Sequence, residues 1–205
     1  ILDSTDMIAQ SLAIAMQAHT GHVPSRAELI AGIGTPLVDQ LAHHAANLGI
    51  ADRNIVDAMV ATYLEDNHAR HDAEIKIFDH AKTTLDLLKN RGHTLGIVTS
   101  KPVATAVRGL ALFDLADHFD VVVGCDTVTD HKPHPAPVLW ALKTLKIVAS
   151  DAIYIGDSTH DIRSGNRAQV DTAGVLWGPY PRAALAAESP TYLLETFEEL
   201  AAIVS

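Results

Sequence analysis

From residue 81 onward, short apolar runs rich in β-branched residues alternate with segments of helical periodicity. Each run is short, apolar and bounded by turn residues, which is typical of buried strands. Strands that alternate with helices favour a parallel sheet covered on both faces. The pattern therefore indicates an α/β fold with a doubly wound parallel sheet. The predicted strands are 95–99, 119–124, 152–155, 172–176 and 192–194, and the predicted helices are 81–90, 103–111, 136–145, 162–168 and 197–204.

The first 70 residues or so have only helical periodicity. Ile8, Leu12 and Met16 recur at the interval that places side chains on one face of a helix. Glycines interrupt this pattern at positions 21, 32, 34 and 49. We expect about four short helices here, which form a small helical domain ahead of the sheet.

The charge and composition of the chain limit the kinds of molecule that it can bind. Lys and Arg number 15 and Asp and Glu number 25, so the formal net charge is −10 with neutral histidines. This net negative charge argues against sequence-independent binding to nucleic acid and against binding to an anionic membrane. The sequence has no apolar run of the roughly 18 to 20 residues that a membrane span needs. Cys125 is the single cysteine, which suits a reducing compartment. We expect a soluble, cytoplasmic protein that acts on a small molecule; its oligomeric state stays open.

Polar residues follow the first predicted strand. In open parallel sheets, ligands bind beyond the carboxyl ends of the strands. Thr99, Ser100 and Lys101 lie there and place two hydroxyls and a cation where a helix is about to start, which suits an anion. The alternative is an ordinary helix cap followed by a solvated lysine.

A second cluster follows the next predicted strand. Lys132 lies in the segment His131-Lys132-Pro133-His134-Pro135, where two prolines stiffen the turn. A lysine supplies a compact positive charge suited to phosphate. A surface lysine in a proline-rich loop is the other interpretation.

Two carboxylates follow the third predicted strand. Asp157 and Asp161 are four residues apart in Gly156-Asp157-Ser158-Thr159-His160-Asp161. Mg²⁺ takes one or two protein carboxylates together with waters and substrate phosphate oxygens. The sequence thus predicts a magnesium site, unless the two residues only cap the next helix.

Together, Thr99, Lys132, Asp157 and Asp161 resemble the second, third and fourth motifs of the haloacid dehalogenase-like hydrolase superfamily, in the same order and at fitting spacing. The helical segment resembles the small α-helical cap of phosphoglycolate-phosphatase-like members. Two further stretches resemble the related bacterial inorganic pyrophosphatases: Tyr63-x-x-x-Asn67-His68-x-x-His71-Asp72 and Phe119-Asp120-Val121-Val122-Val123.

The resemblance implies a Rossmann-like core of residues 1–8 and 77–205 and a cap of residues 9–76. It also implies phosphoryl transfer through an aspartyl-phosphate, in which one carboxylate attacks phosphorus, a second acts as acid and base, and Mg²⁺ neutralises the oxygens.

The resemblance further assigns roles to residues of this sequence. Thr99 and Lys132 would be catalytic and bind phosphate, with Ser100 and His68 as further contacts to phosphate or substrate. Asp157 would be catalytic as a metal ligand. Asp161 would ligate the metal or support it through its water shell.

One part of the family pattern does not occur in the 205 residues. The motif Asp-x-Asp-Gly-Thr, which carries the nucleophile and the acid/base, is absent. Ile1-Leu2-Asp3-Ser4 resembles the residues that follow this motif in family members. We therefore expect the first strand and the nucleophile motif to precede Ile1.

The first function expected is a Mg²⁺-dependent phosphatase of a small phosphorylated metabolite, similar to phosphoglycolate phosphatase. Inorganic pyrophosphatase is the alternative within the superfamily. A catalytically silent protein that binds phosphate or metal is the alternative of a different class, and it requires that the nucleophile motif is truly absent.

Overall fold

The computed structural model describes residues 1–204, which contain ten α-helices and seven β-strands. They divide into two compact units. The helical unit is Asp3–Lys76, and the core unit consists of Ile1–Leu2 and the residues from Ile77 onward. Within the described range, no helix combines the length and the apolarity needed to cross a membrane.

The helical unit contains four helices: α1 (Thr5–Thr20), α2 (Arg26–Ala31), α3 (Leu37–Asn47) and α4 (Arg53–Glu74). Helix α1 packs along α4, α3 packs on both, and α2 contacts α1. The number of helices agrees with the expectation from sequence, but α1 and α4 are longer than expected. Completely buried side chains from three helices form the core of the unit: Leu12, Met16, Leu41 and Met59.

Local signals set the ends of these helices. Gly21 follows α1 with a φ of 68°, a left-handed conformation that residues with a Cβ adopt only with strain. Ser25 precedes α2, and its side chain accepts a hydrogen bond from the Glu28 amide while the Glu28 carboxylate accepts one from the Ser25 amide. This reciprocal capping satisfies two N–H groups that have no partner inside the helix.

The boundary between the units differs from the expected one at its first crossing. We expected the core to include residues 1–8, whereas the compact unit takes only Ile1–Leu2. Helix α1 already begins at Thr5, within the helical unit. The second crossing lies between Lys76 and Ile77.

The core unit alternates strands and helices. Two short strands, β1 (Leu2–Asp3) and β2 (Lys76–Ile77), pair with each other where the chain crosses between the units. The remaining elements are, in order, α5 (Ala81–Asn90), β3 (Gly96–Val98), α6 (Val103–Ala111), β4 (Val121–Val123), α7 (Ala136–Leu145), β5 (Ile153–Gly156), α8 (Thr159–Arg167), β6 (Asp171–Val175), α9 (Arg182–Ala187), β7 (Tyr192–Leu194) and α10 (Phe197–Ile203).

The main strands of the core unit pair in parallel, as an α/β fold requires. Strand β3 pairs with β4, with Val98 opposite Val123. A second sheet has the order β5-β6-β7. The Tyr154 hydroxyl on β5 lies 3.4 Å from the carbonyl oxygen of Val98 on β3. The Tyr154 side chain therefore links the ends of β3 and β5, whose next residues are Thr99 and Asp157.

Helices cover these sheets and complete the core. Helix α7 packs on β3 and β4, α8 packs on β5 and β6, and α10 packs on α5 and β7. Helix α8 begins at Thr159, three residues earlier than expected. Helix α9 was not expected, because its six residues bury only Leu185 and leave too short a periodic pattern to recognise.

The buried positions of the helical unit predict a sharp contrast between two leucines. Leu12 is completely buried in α1, whereas Leu64 on α4 is 39% exposed. We expect Leu12→Ala to lower the free energy of unfolding by about 2 to 5 kcal/mol, because it removes buried methyl groups and leaves a cavity. Leu64→Ala is the matched control, with an expected change within about 0.5 kcal/mol. Urea unfolding followed by circular dichroism measures both, and equal effects would contradict this packing.

Candidate active site

The loop after β5 is folded by a reciprocal cap. The Ser158 hydroxyl accepts a hydrogen bond from the Asp161 amide (3.2 Å). In return, Oδ2 of Asp161 accepts one from the Ser158 amide (3.1 Å) and one from the Ser158 hydroxyl (2.6 Å). This capping box begins α8. It turns the Asp161 side chain back toward the loop that carries Asp157.

A glycine permits this arrangement. A Cβ at Gly156 would collide with the Cβ and carboxyl group of Asp161. The acidic loop therefore needs glycine at the end of β5, because the Asp161 side chain passes directly over that backbone.

A buried ion pair lies at the centre of the cluster. Nζ of Lys132 is 2.6 Å from Oδ1 of Asp161, and the two side chains are only 8% and 7% exposed. The Tyr154 hydroxyl donates to the same oxygen at 2.9 Å. Burial raises the pKa of Asp161, but Lys132 and the donors from Ser158 and Tyr154 more than offset this, so its pKa lies below the ordinary value. Asp161 is therefore held as a carboxylate.

Helix α8 also fixes the loop that carries Lys132. The Ser164 hydroxyl donates to the carbonyl of His134 at 2.8 Å, and Arg167 donates to the carbonyl of Pro133 at 2.8 Å. The His134 amide closes the turn on the carbonyl of His131 at 2.8 Å. The stiffness expected from the two prolines is thus reinforced by hydrogen bonds from a neighbouring helix.

Asp157 has a different environment from Asp161. Burial raises its pKa, the negative charge of Asp161 raises it further, and Lys132 acts in the opposite direction. Lys132, Tyr154 and Ser158 all direct their hydrogen bonds to Asp161. A Cβ at Gly178, in the loop after β6, would collide with the Asp157 side chain. Asp157 is thus a half-buried, closely covered carboxylate whose surroundings disfavour its charged form.

The donor set fits a magnesium ion at Asp157. Residues 1–204 contain no group of three or more His, Cys, Asp or Glu side chains placed to hold a metal. Mg²⁺ needs fewer, since it takes one or two protein carboxylates and completes its shell with water and phosphate oxygens. A cation would also offset the charge that burial disfavours on Asp157. Both oxygens of Asp161 already accept hydrogen bonds, which suits a supporting role.

The hydroxyl loop after β3 lies close to this cluster. The Thr99 amide donates to the carbonyl of Val123 at 2.8 Å, and the Thr99 hydroxyl accepts from the Lys101 amide at 3.2 Å. The hydroxyl proton of Thr99 can therefore serve another acceptor. Burial lowers the pKa of Lys101, while the nearby negative charge of Asp157 acts in the opposite direction.

His68 belongs to the helical unit, where it is exposed on α4. Its neighbour on the same helix, His71, is completely buried. Nδ1 of His71 lies 2.8 Å from a carboxylate oxygen of Asp72, and its Nε2 has no hydrogen-bond partner among the residues that the structure describes. Within the core unit, the structure brings together Lys132, Asp157 and Asp161, with Thr99 and Ser100 on the adjoining loop; His68 lies in the other unit.

Three residues of this region were missed by the sequence analysis: Tyr154, Gly178 and Tyr180. Tyr180 is half-buried; burial raises its pKa, and the charges of Asp161 and Asp157 raise it further. Tyr154 resembles an ordinary strand residue in sequence. The available signal was its hydroxyl, because a tyrosine in a buried strand usually finds a hydrogen-bond partner.

Comparison with known proteins agrees with this fold. The sequence model of the family described as haloacid dehalogenase-like hydrolase matches residues 1–175. Pyrophosphatase PpaX of Bacillus pumilus is 36% identical over 208 residues, which cover 99% of this chain and 93% of that protein. Pyrophosphatase PpaX of Anoxybacillus flavithermus is 34% identical over 204 residues, which cover 100% of this chain and 92% of that protein.

Solved structures show the same architecture. A Bacteroides fragilis protein described as a haloacid dehalogenase-like hydrolase superposes with a TM-score of 0.89 at 26% identity, over 98% of this chain and 94% of that chain. A hydrolase from Pseudomonas syringae superposes with a TM-score of 0.88 at 20% identity, over 100% of this chain and 95% of that chain.

The chain therefore belongs to the haloacid dehalogenase-like hydrolase family. The relatives named above are pyrophosphatases, and this protein is a hydrolase of phosphate compounds. The α/β fold and the family membership expected from sequence are both confirmed.

The buried ion pair predicts a strong coupling between its partners. Lys132→Met should lower the free energy of unfolding by about 3 to 5 kcal/mol, because it leaves the Asp161 carboxylate buried without its cation. Lys132→Met combined with Asp161→Asn should be more stable than Lys132→Met alone. Urea unfolding of the two single variants and the double variant measures the coupling, and strictly additive effects would contradict the pair.

The same pair predicts the sign of a pH dependence. Because the folded-state pKa of Asp161 is lowered, its contribution to stability is present above the pKa of the unfolded carboxyl group, about 3.9. That contribution is lost as the pH falls toward the folded-state pKa. In metal-free buffer, the stability difference between the wild type and Asp161→Asn should shrink as the pH is lowered from 6 to about 3. A difference that grows on acidification would contradict this assignment.

Proposed function

We propose that this protein hydrolyses the phosphoric anhydride bond of inorganic pyrophosphate with Mg²⁺ as cofactor. The observation that carries the chemistry is the buried Lys132–Asp161 pair beside a second, half-buried carboxylate, Asp157. The choice of substrate is supported by relatives named pyrophosphatase, which are 34% and 36% identical over essentially the whole chain.

Each residue of the cluster has a role in this proposal. Asp157 holds the cation, which when bound neutralises phosphate oxygens and makes phosphorus easier to attack. Lys132 presents a positive charge to the transferring phosphoryl group. The Thr99 hydroxyl donates to a phosphate oxygen, with Ser100 as a further contact. Asp161 keeps Lys132 charged and in place.

The proposed nucleophile is an aspartate: its attack on one phosphorus of pyrophosphate would form an aspartyl-phosphate and break the P–O–P bond, with release of inorganic phosphate, and water would then hydrolyse the aspartyl-phosphate to a second phosphate. The motif Asp-x-Asp-Gly-Thr that would supply it does not occur in these 205 residues. A protein that binds phosphate with Mg²⁺ but releases none from pyrophosphate would instead be the catalytically silent binding protein.

The helical unit serves as the substrate-selecting cap in this proposal, and His68 on α4 contributes a contact to the substrate. A phosphorylated metabolite similar to phosphoglycolate is the competing substrate, because the capped architecture also suits a phosphomonoester. We propose a cytoplasmic location, because the single cysteine, Cys125, permits no internal disulfide.

The role of Asp157 predicts the effect of one isosteric substitution. Asp157→Asn should lower the rate of Mg²⁺-dependent phosphate release from pyrophosphate at least about 100-fold, because the amide carries no charge to hold the cation. Asp151→Asn, at an exposed carboxylate, is the matched control and should keep wild-type activity. Phosphate release by the natural polypeptide measures both, and undiminished hydrolysis by Asp157→Asn would remove Asp157 from the metal site.

A comparison of substrates decides between the two candidate reactions. We expect kcat/KM for pyrophosphate to exceed that for phosphoglycolate by at least about tenfold, which corresponds to about 1.4 kcal/mol in transition-state binding. His68→Ala should raise KM for pyrophosphate. A reversed preference would establish the phosphomonoesterase instead, and an unchanged KM would remove His68 from the substrate contacts.

A further inference from the structure

The Tyr154 hydroxyl has no part in the reaction proposed above, yet it lies inside the cluster. It is 2.9 Å from Oδ1 of Asp161 and 3.4 Å from the carbonyl oxygen of Val98. A phenol has one proton to donate. The shorter distance and the negative charge both favour donation to Asp161.

The ring of Tyr154 is held in place by α8. A Cβ at Gly165 would come within 3.1 Å of Cδ1 and 3.3 Å of Cβ of Tyr154. The glycine therefore lets the ring lie directly against the helix backbone, one turn beyond Asp161. Because the ring is confined in this way, its hydroxyl meets the Asp161 carboxylate at a fixed position.

The oxygen that accepts from Tyr154 is also the one that accepts from Lys132, at 2.6 Å. Two donors on one carboxylate oxygen share its negative charge. The Tyr154 proton thus compensates part of the charge on Asp161, and Lys132 is neutralised less completely than it would be as the only donor to that oxygen. A less neutralised ammonium attracts a phosphate more strongly.

The hydroxyl stays protonated under ordinary conditions. Burial raises the pKa of Tyr154 well above its usual range, and the charge of Asp161 raises it further. Tyr154 is therefore a constant donor.

We propose that Tyr154 is a positioning residue that shares the Asp161 carboxylate with Lys132 and thereby directs the Lys132 ammonium to the substrate phosphate. This inference rests on the proposed function, which assigns Lys132 to phosphate. Tyr154 acts through Asp161 and touches neither the substrate nor the reacting atoms.

Tyr154→Phe tests the inference, because it removes the hydroxyl and keeps the ring against Gly165. The probe is inorganic phosphate in the presence of Mg²⁺, and its affinity is measured by calorimetry. We expect the dissociation constant to rise about three- to tenfold. This is the scale of a lost hydrogen bond to a charged group whose effect reaches the ligand only through Lys132. Tyr192→Phe, at an exposed tyrosine of β7, should leave the affinity unchanged.

The outcomes separate the inference from the proposed function. If Tyr154→Phe unfolds at lower urea concentration but binds phosphate as tightly as the wild type, the hydroxyl is only structural and the inference is overturned, while the proposed function stands. If the wild type itself binds no phosphate with Mg²⁺, the proposed function fails and the inference fails with it.

A second measurement on the wild type covers the case in which Tyr154→Phe does not fold. The proton that Tyr154 donates to Asp161 should give a slowly exchanging hydroxyl signal in the NMR spectrum. A bound phosphate shares the charge of Lys132 while the ion pair stays in place, so the shared oxygen becomes a stronger acceptor for Tyr154 and this signal should move downfield. A hydroxyl signal that is indifferent to phosphate would overturn the inference.

Discussion

The candidate site depends on one interaction, the ion pair between Lys132 and Asp161 at 2.6 Å. Two buried charges are costly unless they are paired and their remaining donors and acceptors are satisfied. The fold meets this condition by surrounding Asp161 with Ser158 and Tyr154 and by fixing the Lys132 loop to α8 through Ser164 and Arg167. The start of α8, the lysine loop and the end of β5 are therefore positioned by the same carboxylate.

The two aspartates of the acidic loop acquire different roles from their surroundings. Asp161 accepts hydrogen bonds on both oxygens, and its pKa is lowered. Asp157 is half-buried beside that negative charge, and its pKa is raised. The protein itself stabilises the charged form of Asp161, so this carboxylate is suited to holding the loop in place. The charged form of Asp157 is destabilised, so this carboxylate gains more from direct contact with a divalent cation. The four-residue spacing places Asp157 in the loop and Asp161 in the first turn of α8. What distinguishes the two carboxylates is that the hydrogen-bond donors of the cluster reach Asp161.

The sequence predicted the class of fold and most of the cluster because both depend on local pattern. Helices α5, α6 and α7 have the predicted bounds, since each is flanked by clear turn residues. The roles of Thr99, Ser100, Lys132, Asp157, Asp161 and His68 remain predictions. The early start of α8 depends on a side-chain cap, and the contacts of Tyr154 and Gly178 depend on residues distant in sequence. Such contacts leave no periodic signal, which explains why the sequence analysis missed them.

The most direct test of this account is a crystal structure of the protein soaked with Mn²⁺ and phosphate, with the metal located by its anomalous scattering. The account predicts a single manganese ion within bonding distance of an Asp157 carboxylate oxygen, with the Lys132–Asp161 ion pair intact beside it. A manganese ion bound directly to Asp161, with Lys132 displaced from that carboxylate, would contradict it.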